Sequence, residues 1–250
     1  MSDFIAATDR GLLDRHGLAD FDALWDMPRD IVGEPGTLGS GWSRVDSLEL
    51  EASGFYLKRQ SNYLVRSAYR PLGEPSFARE FRMINRYQSL GIPSLYAVFY
   101  GERKVKGERR AILMTRALDG WVDLDALLQQ WSTLNPHQHL AILRSCGQLA
   151  RTLHSAGQVH GCFCPRHVFL RSRSDAYQAQ LIGLEKTRPA LFGWRDRIRD
   201  LESLLRQAPI WNETEVRDFL ATYLQAPVTS TVVNTWWRRL VKRRSHKEVL

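Results

Sequence analysis

The first half of the chain shows the alternation of apolar and polar residues that is typical of β-strands. Strands are predicted in three segments, residues 43–60, 95–100 and 110–115. We place a turn at Gly54, which divides the first segment into two strands. Residues 31–42 are rich in Gly and Pro and are predicted to form a loop.

Helical periodicity interrupts these strands and then dominates the second half. One helix is predicted over residues 17–27, and another begins at its N-cap Ser76 and ends before Gly91. Asn135 is predicted to cap a long helix that ends at Gly157. The later elements are strands at residues 167–172 and 177–184 and helices at residues 196–207, 213–225 and 231–244. This order predicts an α+β chain with a β-rich first part and a helical second part.

Composition narrows the class of protein. Hydrophobic residues make up 44% and charged residues 25%, which excludes disorder as the main state. Lys and Arg number 35 against 27 Asp and Glu, and the net charge of +8 favours an anionic partner such as a phosphorylated ligand, anionic lipid or nucleic acid. Three Cys argue against a disulfide scaffold, and no signal peptide or membrane span is evident. We therefore expect a cytoplasmic protein that can rest on the surface of the inner membrane.

Four features follow one another in an order that suits phosphoryl transfer. Lys58 lies in a predicted strand and Glu80 in the next helix. His160 opens a loop after the long helix, and a short hairpin then leads to LIGLEKTR, residues 181–188. A lysine held by a carboxylate can bind the phosphates of ATP. The pair has meaning only together with the later loop, because surface ion pairs are common.

These strings together resemble the lipopolysaccharide kinase family of Gram-negative bacteria, and within it the InaA-type branch. The resemblance rests on YLKRQ, REFRMINRYQSLGIP, HSAGQVHGCFCPRHVFL and LIGLEKTR, and it covers residues 39–206. It implies a two-lobed, protein-kinase-like fold with an extension at 1–36, a small β-rich N-lobe at 37–118 and a helical C-lobe at 119–250. It also implies ATP-dependent phosphoryl transfer, with Mg²⁺, to a heptose or Kdo sugar of the lipopolysaccharide inner core.

The resemblance assigns part of the N-lobe to the nucleotide. The residues concerned are Lys58, Glu80, Gly39, Gly41, Met114 and Arg116. Lys58 matches the lysine that binds the ATP phosphates, and Glu80 matches its helix partner. The two glycines lie where a loop covers the phosphates, although GSGW lacks the full G-x-G-x-x-G pattern and a surface turn is the alternative. Met114 and Arg116 lie at the end of the fifth predicted strand, where a hinge would contact adenine.

The loop and hairpin carry the assigned catalytic positions. His160 matches the first His of the catalytic loop, and His167 matches a later His that stands where protein kinases have a metal-binding Asn. The catalytic Asp is expected where Cys162 stands, and the metal-binding Asp where Gly183 stands. Glu185, two residues further on, is the substitute carboxylate that could reach inward. The predicted catalytic residues are therefore Cys162, His160 and Glu185, and the predicted metal ligands are His167 and Glu185.

Replacement of both carboxylates leaves more than one function open. The first is a lipopolysaccharide-core sugar kinase, which uses ATP and Mg²⁺. The second is a pseudokinase that binds nucleotide or envelope components and acts as a regulator or scaffold. A third is a basic membrane-surface scaffold that binds no nucleotide. No nucleic-acid partner is expected, because no recognition motif accompanies the basic tail.

Three further features each have two interpretations. Asp200 either braces the catalytic loop, as the resemblance implies, or is an exposed helix acid. Cys162, Cys164 and His167 have a C-x-C-x-x-H spacing that does not match the usual zinc pattern, which favours inert thiols over a metal cluster. The tail WWRRLVKRR, residues 236–244, is either a packed helix or an anchor on anionic lipid.

Overall fold

The computed structural model describes residues 3–28, 36–38, 41–67 and 70–247 of the chain. The chain forms two compact units. The first comprises residues 1–86 and 95–119, and the second comprises residues 87–94 and 120–250. The first unit is rich in strands and the second in helices, which confirms the α+β prediction.

The first unit is built on one antiparallel sheet of six strands. Its elements are β1 (Phe4–Ile5), α1 (Ala7–Arg15), α2 (Phe21–Asp26), β2 (Gly36–Leu38), β3 (Gly41–Leu50), β4 (Ser53–Ser61), β5 (Leu64–Ser67), β6 (Arg70–Pro75), α3 (Ser76–Ser89), β7 (Ala97–Val105) and β8 (Glu108–Arg116). The sheet order is β1-β7-β8-β4-β3-β2, and β5 and β6 form a separate hairpin. The last turn of α3 belongs to the second unit.

The second unit is mainly helical and carries short strand pairs. Its elements are β9 (Val122–Asp123), α4 (Leu124–Gln129), α5 (Pro136–Ser155), β10 (Gln158–Val159), β11 (Val168–Arg173), β12 (Ala176–Leu181), β13 (Arg188–Pro189), α6 (Trp194–Arg206), α7 (Glu213–Leu224) and α8 (Thr231–Lys247). The predicted cap of α5 is confirmed, since Asn135 and Gln138 form a capping box. Within the described part of the chain, no helix has the length and apolar character needed to cross a membrane.

The predicted turn at Gly54 is wrong. The chain reverses at Glu51 and Ala52, and Gly54 lies inside β4, paired with Glu49 of β3. A Cβ atom at Gly54 would come within 2.9 Å of the Cβ of Ala117. Glycine is needed here for the close approach of a neighbouring segment rather than for a turn.

The predicted N-cap of α3 is also wrong in its chemistry. The helix begins at Ser76, but the Ser76 hydroxyl donates a hydrogen bond to Oε1 of Gln60, 2.9 Å away. The same oxygen accepts the free backbone N–H of Phe77 at 3.0 Å. The acceptor that satisfies this helix end therefore comes from β4, sixteen residues earlier in the chain.

The predicted loop over residues 31–42 is strand wherever it is described. Residues 36–38 form β2, and residues 41–42 begin β3. The remainder of that prediction lies outside the described residues. The short elements β1 and α1 were not predicted, because two strand residues and a helix of low amphipathicity leave little periodic signal.

A buried arginine ties α2 to the sheet of the first unit. The guanidinium of Arg59 on β4 is fully buried and donates two hydrogen bonds to Oδ2 of Asp46, at 2.7 and 3.0 Å. It also donates to the carbonyl oxygens of Trp25 and Met27, at 2.9 and 2.8 Å. A charge without water must be fully hydrogen-bonded, and these partners meet that need at the end of α2.

We expect Arg59→Met to lower the free energy of unfolding by about 3 kcal/mol, because it leaves the buried Asp46 carboxylate with only the longer 3.6 Å ion pair to Arg44. Urea unfolding measures the change. Arg15→Met is the matched control, since Arg15 pairs with Glu51 on the exposed surface and should leave the midpoint nearly unchanged. Equal midpoints for the two variants would contradict this account of Arg59.

A buried carboxylate organises the second unit. Asp200 on α6 accepts the backbone N–H groups of His160 and Gly161, at 2.6 and 3.0 Å. It also lies 3.3 Å from Nε2 of His154, whose Nδ1 lies 2.9 Å from the Tyr223 hydroxyl. These contacts support the brace over the exposed acid, since Asp200 is only 4% exposed. His154 and Tyr223 are members of this network that the sequence did not indicate.

We expect Asp200→Asn to cost about 2 kcal/mol of unfolding free energy, because one amide oxygen cannot replace two carboxylate oxygens and a buried N–H loses its acceptor. Thermal unfolding followed by circular dichroism measures the loss. Asp175→Asn, at an exposed turn between β11 and β12, is the control and should melt like the parent. A parental melting temperature for Asp200→Asn would refute the proposed brace.

Candidate functional site

Lys58 and Glu80 form an ion pair in the first unit. The Nζ of Lys58 lies 2.6 Å from Oε1 of Glu80, and their side chains are 16% and 5% exposed. Desolvation disfavours a pair so buried unless its geometry is good, and this short bond provides it. The predicted pairing is therefore present, while its role toward a nucleotide stays a prediction.

The pair follows from the two periodicities that meet at α3. Alternate residues of β4 face opposite sides of the sheet, so Lys58 and Gln60 share the face that α3 covers. Gln60 binds the backbone of Phe77, and Lys58 binds Glu80 three residues later on the helix. Residues three apart on a helix share a face, so one strand face meets one helix face at two polar points.

Met114 and Arg116, predicted at an adenine-contacting hinge, have other contacts in the first unit. Met114 is fully buried in an apolar cluster with Phe55 and Leu57. The guanidinium of Arg116 donates to Oδ1 of Asp9 at 2.7 and 3.1 Å. Both side chains therefore have structural partners, and contact with adenine stays a prediction.

The backbone donors of this segment are also used within the unit. The N–H of Arg116 donates to the carbonyl of Tyr96 at 3.1 Å, and the N–H of Ala117 donates to the carbonyl of Gly54 at 2.8 Å. With these two N–H groups in use, an adenine bound by residues 114–117 in this conformation would have to donate to backbone carbonyl groups of the segment.

Of the two glycines in the predicted phosphate-covering loop, only Gly41 lies within the described residues. Gly39 lies outside the described residues. Gly41 begins β3, where a Cβ atom would come within 2.3 Å of the carbonyl oxygen of Asn62. Close packing of two backbones therefore explains Gly41, and its contact with phosphate stays a prediction.

His160, which opens the loop in the second unit, is fully buried. Its Nε2 lies 2.8 Å from the carbonyl oxygen of Ile182 and donates to it. Burial is the largest effect on the pKa of His160 and lowers it. The hydrogen bond to Ile182 opposes this effect, and the neighbouring His167 adds to it. The imidazole is therefore neutral near pH 7. Within the described residues its Nδ1 has no hydrogen-bond partner. These contacts make His160 a brace between the loop and the end of the hairpin.

Cys162 and His167 lie at the positions matched to the catalytic Asp and the metal-binding Asn. Both are half-buried, and Nδ1 of His167 donates to the carbonyl oxygen of Cys162 at 2.9 Å. Gly183 has φ 67°, and a Cβ atom there would come within 2.9 Å of Nε2 of His167. The His167 ring thus fills the space that an aspartate at position 183 would need.

Glu185 lies in a 3₁₀ turn, residues 184–186, and is half-buried. Its charge acts on His160, raising the pKa of that imidazole in partial opposition to burial. Its predicted role as a substitute catalytic and metal-binding carboxylate stays a prediction.

The donors fit a nucleotide better than they fit Mg²⁺. Lys58 offers a fixed cation for phosphate oxygens. Mg²⁺ requires oxygen ligands, but Cys162 offers sulfur, His167 nitrogen and Gly183 no side chain. Among these four positions only Glu185 supplies a carboxylate, so the residues present do not fit Mg²⁺.

The tail helix packs as far as its side chains are described. Val233 and Leu240 are buried, Trp236 meets the Tyr223 ring edge-on at 5.6 Å, and the guanidinium of Arg217 lies 4.6 Å from the centre of the Trp237 ring. These contacts favour the packed helix for this part of α8. The anchor on anionic lipid stays a prediction.

Comparison with known proteins places the chain in one family. The sequence model of the Lipopolysaccharide kinase (Kdo/WaaP) family matches residues 22–223. Protein InaA of Escherichia coli (strain K12) is 29% identical over 197 residues, which cover 76% of this chain and 90% of InaA. Lipopolysaccharide core heptose(I) kinase WaaP of Pseudomonas aeruginosa is 28% identical over 163 residues, which cover 60% of each chain.

Among solved structures, WaaP in complex with acyl carrier protein matches with a TM-score of 0.70 and 21% identity, covering 98% of this chain and 99% of that one. This likeness confirms the kinase-like fold, and at this identity it shows the fold alone. The match of the family model over residues 22–223 shows that the chain belongs to the lipopolysaccharide kinase (Kdo/WaaP) family.

Proposed function

We propose that this chain binds a nucleoside triphosphate through Lys58 and acts in lipopolysaccharide-core metabolism as a pseudokinase, with little or no phosphoryl transfer. One observation carries the proposal. The buried Lys58–Glu80 pair is kept, whereas the two positions that would carry catalytic oxygens hold Cys162 and Gly183.

Nucleotide binding is supported by the state of Lys58. Lysine is rarely buried without a partner, and its ammonium has three N–H donors. The bond to Glu80 uses one donor and fixes the direction of the side chain. A phosphate oxygen can accept from those that remain, and Coulomb attraction is strong at such a shielded site.

Weak transfer is supported by the geometry around His167. Phosphoryl transfer depends almost wholly on positioning and on metal charge, and both need oxygen ligands. The His167 ring lies against Gly183, so an aspartate at position 183 would clash with this ring. A metal-binding carboxylate therefore cannot be restored there unless His167 also changes.

The chemical class of the sugar comes from the family. A relative 28% identical is a heptose kinase of the lipopolysaccharide core, so an inner-core sugar is the proposed acceptor or regulatory ligand. The membrane is the proposed location. Leu191 and Phe192, just before α6, and Trp194, its first residue, are exposed. The Arg239 guanidinium lies 5.1 Å from the centre of the Trp194 ring. Exposed apolar side chains beside cations suit an anionic lipid surface.

We expect ATP to raise the melting temperature of the parent chain, because a ligand that binds only the folded state stabilises it. Lys58→Met should abolish the shift, measured from its own unliganded melting temperature, which should lie below that of the parent because the buried Glu80 carboxylate loses its partner. Lys104→Met, which removes an exposed lysine of the same sheet, is the control and should keep the full shift. No shift for the parent at saturating ATP would leave only the scaffold interpretation.

We expect the parent chain to transfer no measurable phosphate from ATP to purified inner-core lipopolysaccharide, with Mg²⁺ present. Gly183→Asp alone should not gain a Mg²⁺-dependent ATP shift, because its side chain meets His167. The triple variant Cys162→Asp, His167→Asn, Gly183→Asp should gain that shift, since it restores oxygen donors and clears the space. Radiolabel transfer and thermal shift are the two measurements.

Robust transfer by the parent would contradict the pseudokinase proposal. In that case Glu185→Gln should remove the activity, because Glu185 is the carboxylate left at this end of the hairpin. Retention of transfer by Lys58→Met would contradict the proposed role of Lys58 in nucleotide binding.

A further inference from the structure

The loop after His160 brings three soft donor atoms together. The sulfur atoms of Cys162 and Cys164 and an imidazole nitrogen of His167 all lie within 4.8 Å of one another. Cys164 is buried and the other two residues are half-buried. A 3₁₀ turn over residues 165–167 folds the imidazole back toward the cysteines, so that Nδ1 of His167 lies 3.4 Å from Sγ of Cys164.

These separations suit ligands of one tetrahedral ion. Zn–S bonds of about 2.3 Å and Zn–N bonds of about 2.0–2.1 Å place sulfur and nitrogen ligands about 3.6 Å apart, and two sulfur ligands about 3.8 Å apart. The 3.4 Å between Cys164 and His167 is already close to the first value. Small side-chain rotations would therefore complete the site without a change in the fold.

The types of the donor atoms also indicate which metal they would bind. Thiolate and imidazole ligands bind Zn²⁺ strongly, whereas Mg²⁺ prefers oxygen. We propose that Cys162, Cys164 and His167 bind one Zn²⁺, with a fourth position open to solvent beside the half-exposed Cys162 and His167. This inference goes beyond the proposed nucleotide binding and does not depend on it.

Binding balances as a proton exchange. Each thiol releases its proton to solvent as its Zn–S bond forms, so two protons leave as one Zn²⁺ binds. The His167 proton moves from Nδ1 to Nε2 through solvent, and the Nδ1 lone pair then binds the metal. Gly183 leaves room for the protonated Nε2, because it has no Cβ atom to crowd that nitrogen. The carbonyl oxygen of Cys162 loses its hydrogen bond from His167 Nδ1, and because Cys162 is only half-buried, a water molecule can donate in its place.

The experiment uses the full-length, tag-free chain, reduced and stripped of metal with EDTA. Zn²⁺ is added, free metal is removed by gel filtration, and bound zinc is measured by mass spectrometry. We expect one Zn²⁺ per chain, retained in millimolar Mg²⁺. Co²⁺ in its place should show near-ultraviolet thiolate-to-cobalt absorption and the visible bands of a tetrahedral site.

Two variants test the ligands. Cys162→Ser and His167→Ala should each weaken Zn²⁺ binding by at least about 100-fold, since even the loss of an outer partner costs 10- to 100-fold. Both residues are half-buried, so the two metal-free variants should still fold, which a cooperative thermal transition in EDTA shows.

Two controls match them. Cys146→Ala removes the third thiol, which is buried in α5 with a pKa that burial raises to about 12. His137→Ala removes an exposed imidazole at the start of α5. Both should keep one Zn²⁺ per chain. No retained zinc in the parent, parental affinity in Cys162→Ser, or loss of zinc in Cys146→Ala would each overturn the proposal. The ATP thermal shift is read separately, so either result can fail alone.

Discussion

The conformation of the loop that begins at His160 depends on hydrogen bonds to the Asp200 carboxylate. This carboxylate is buried, and it takes the backbone N–H groups of His160 and Gly161 as its partners. Without them it would be an uncompensated buried charge, which a folded protein rarely tolerates. Because both donors are backbone groups, Asp200 fixes the path of the chain, and everything placed by the loop follows from that path.

The loop places sulfur and nitrogen donors at positions where the resemblance in sequence predicts oxygen donors. The same turn that would present oxygen donors presents the sulfur of Cys162 and the ring of His167, which lies against Gly183. These replacements support one another in space: glycine makes room for the imidazole, and the imidazole lies near two thiols. The first unit shows no such departure at Lys58, whose bond to Glu80 is intact. The chain therefore combines the predicted lysine–glutamate pair in the first unit with sulfur and nitrogen donors in the loop of the second unit.

Several local signals in the sequence were sufficient by themselves. The N-cap signal at Asn135 and the alternation around Lys58 each involve only a few neighbouring residues, and they predicted the start of α5 and the strand β4 correctly. Two other local signals misled. Gly54 suggested a turn because close approach and chain reversal both favour glycine. Ser76 suggested a cap, but the acceptor belongs to Gln60 on another element.

The sequence by itself determined the order of the longer elements, the α+β class, and the strand lysine and helix glutamate, because periodicity and residue type are local properties. Only the tertiary structure decided the rest. The contacts of Asp200 favour the brace over the exposed acid, and they add His154 and Tyr223 to its network. The fold also brings Cys162, Cys164 and His167 within 4.8 Å of one another. The linear spacing C-x-C-x-x-H argued against a cluster, yet a 3₁₀ turn shortens the path between its members. Distance in space depends on backbone dihedral angles, which residue spacing alone does not specify.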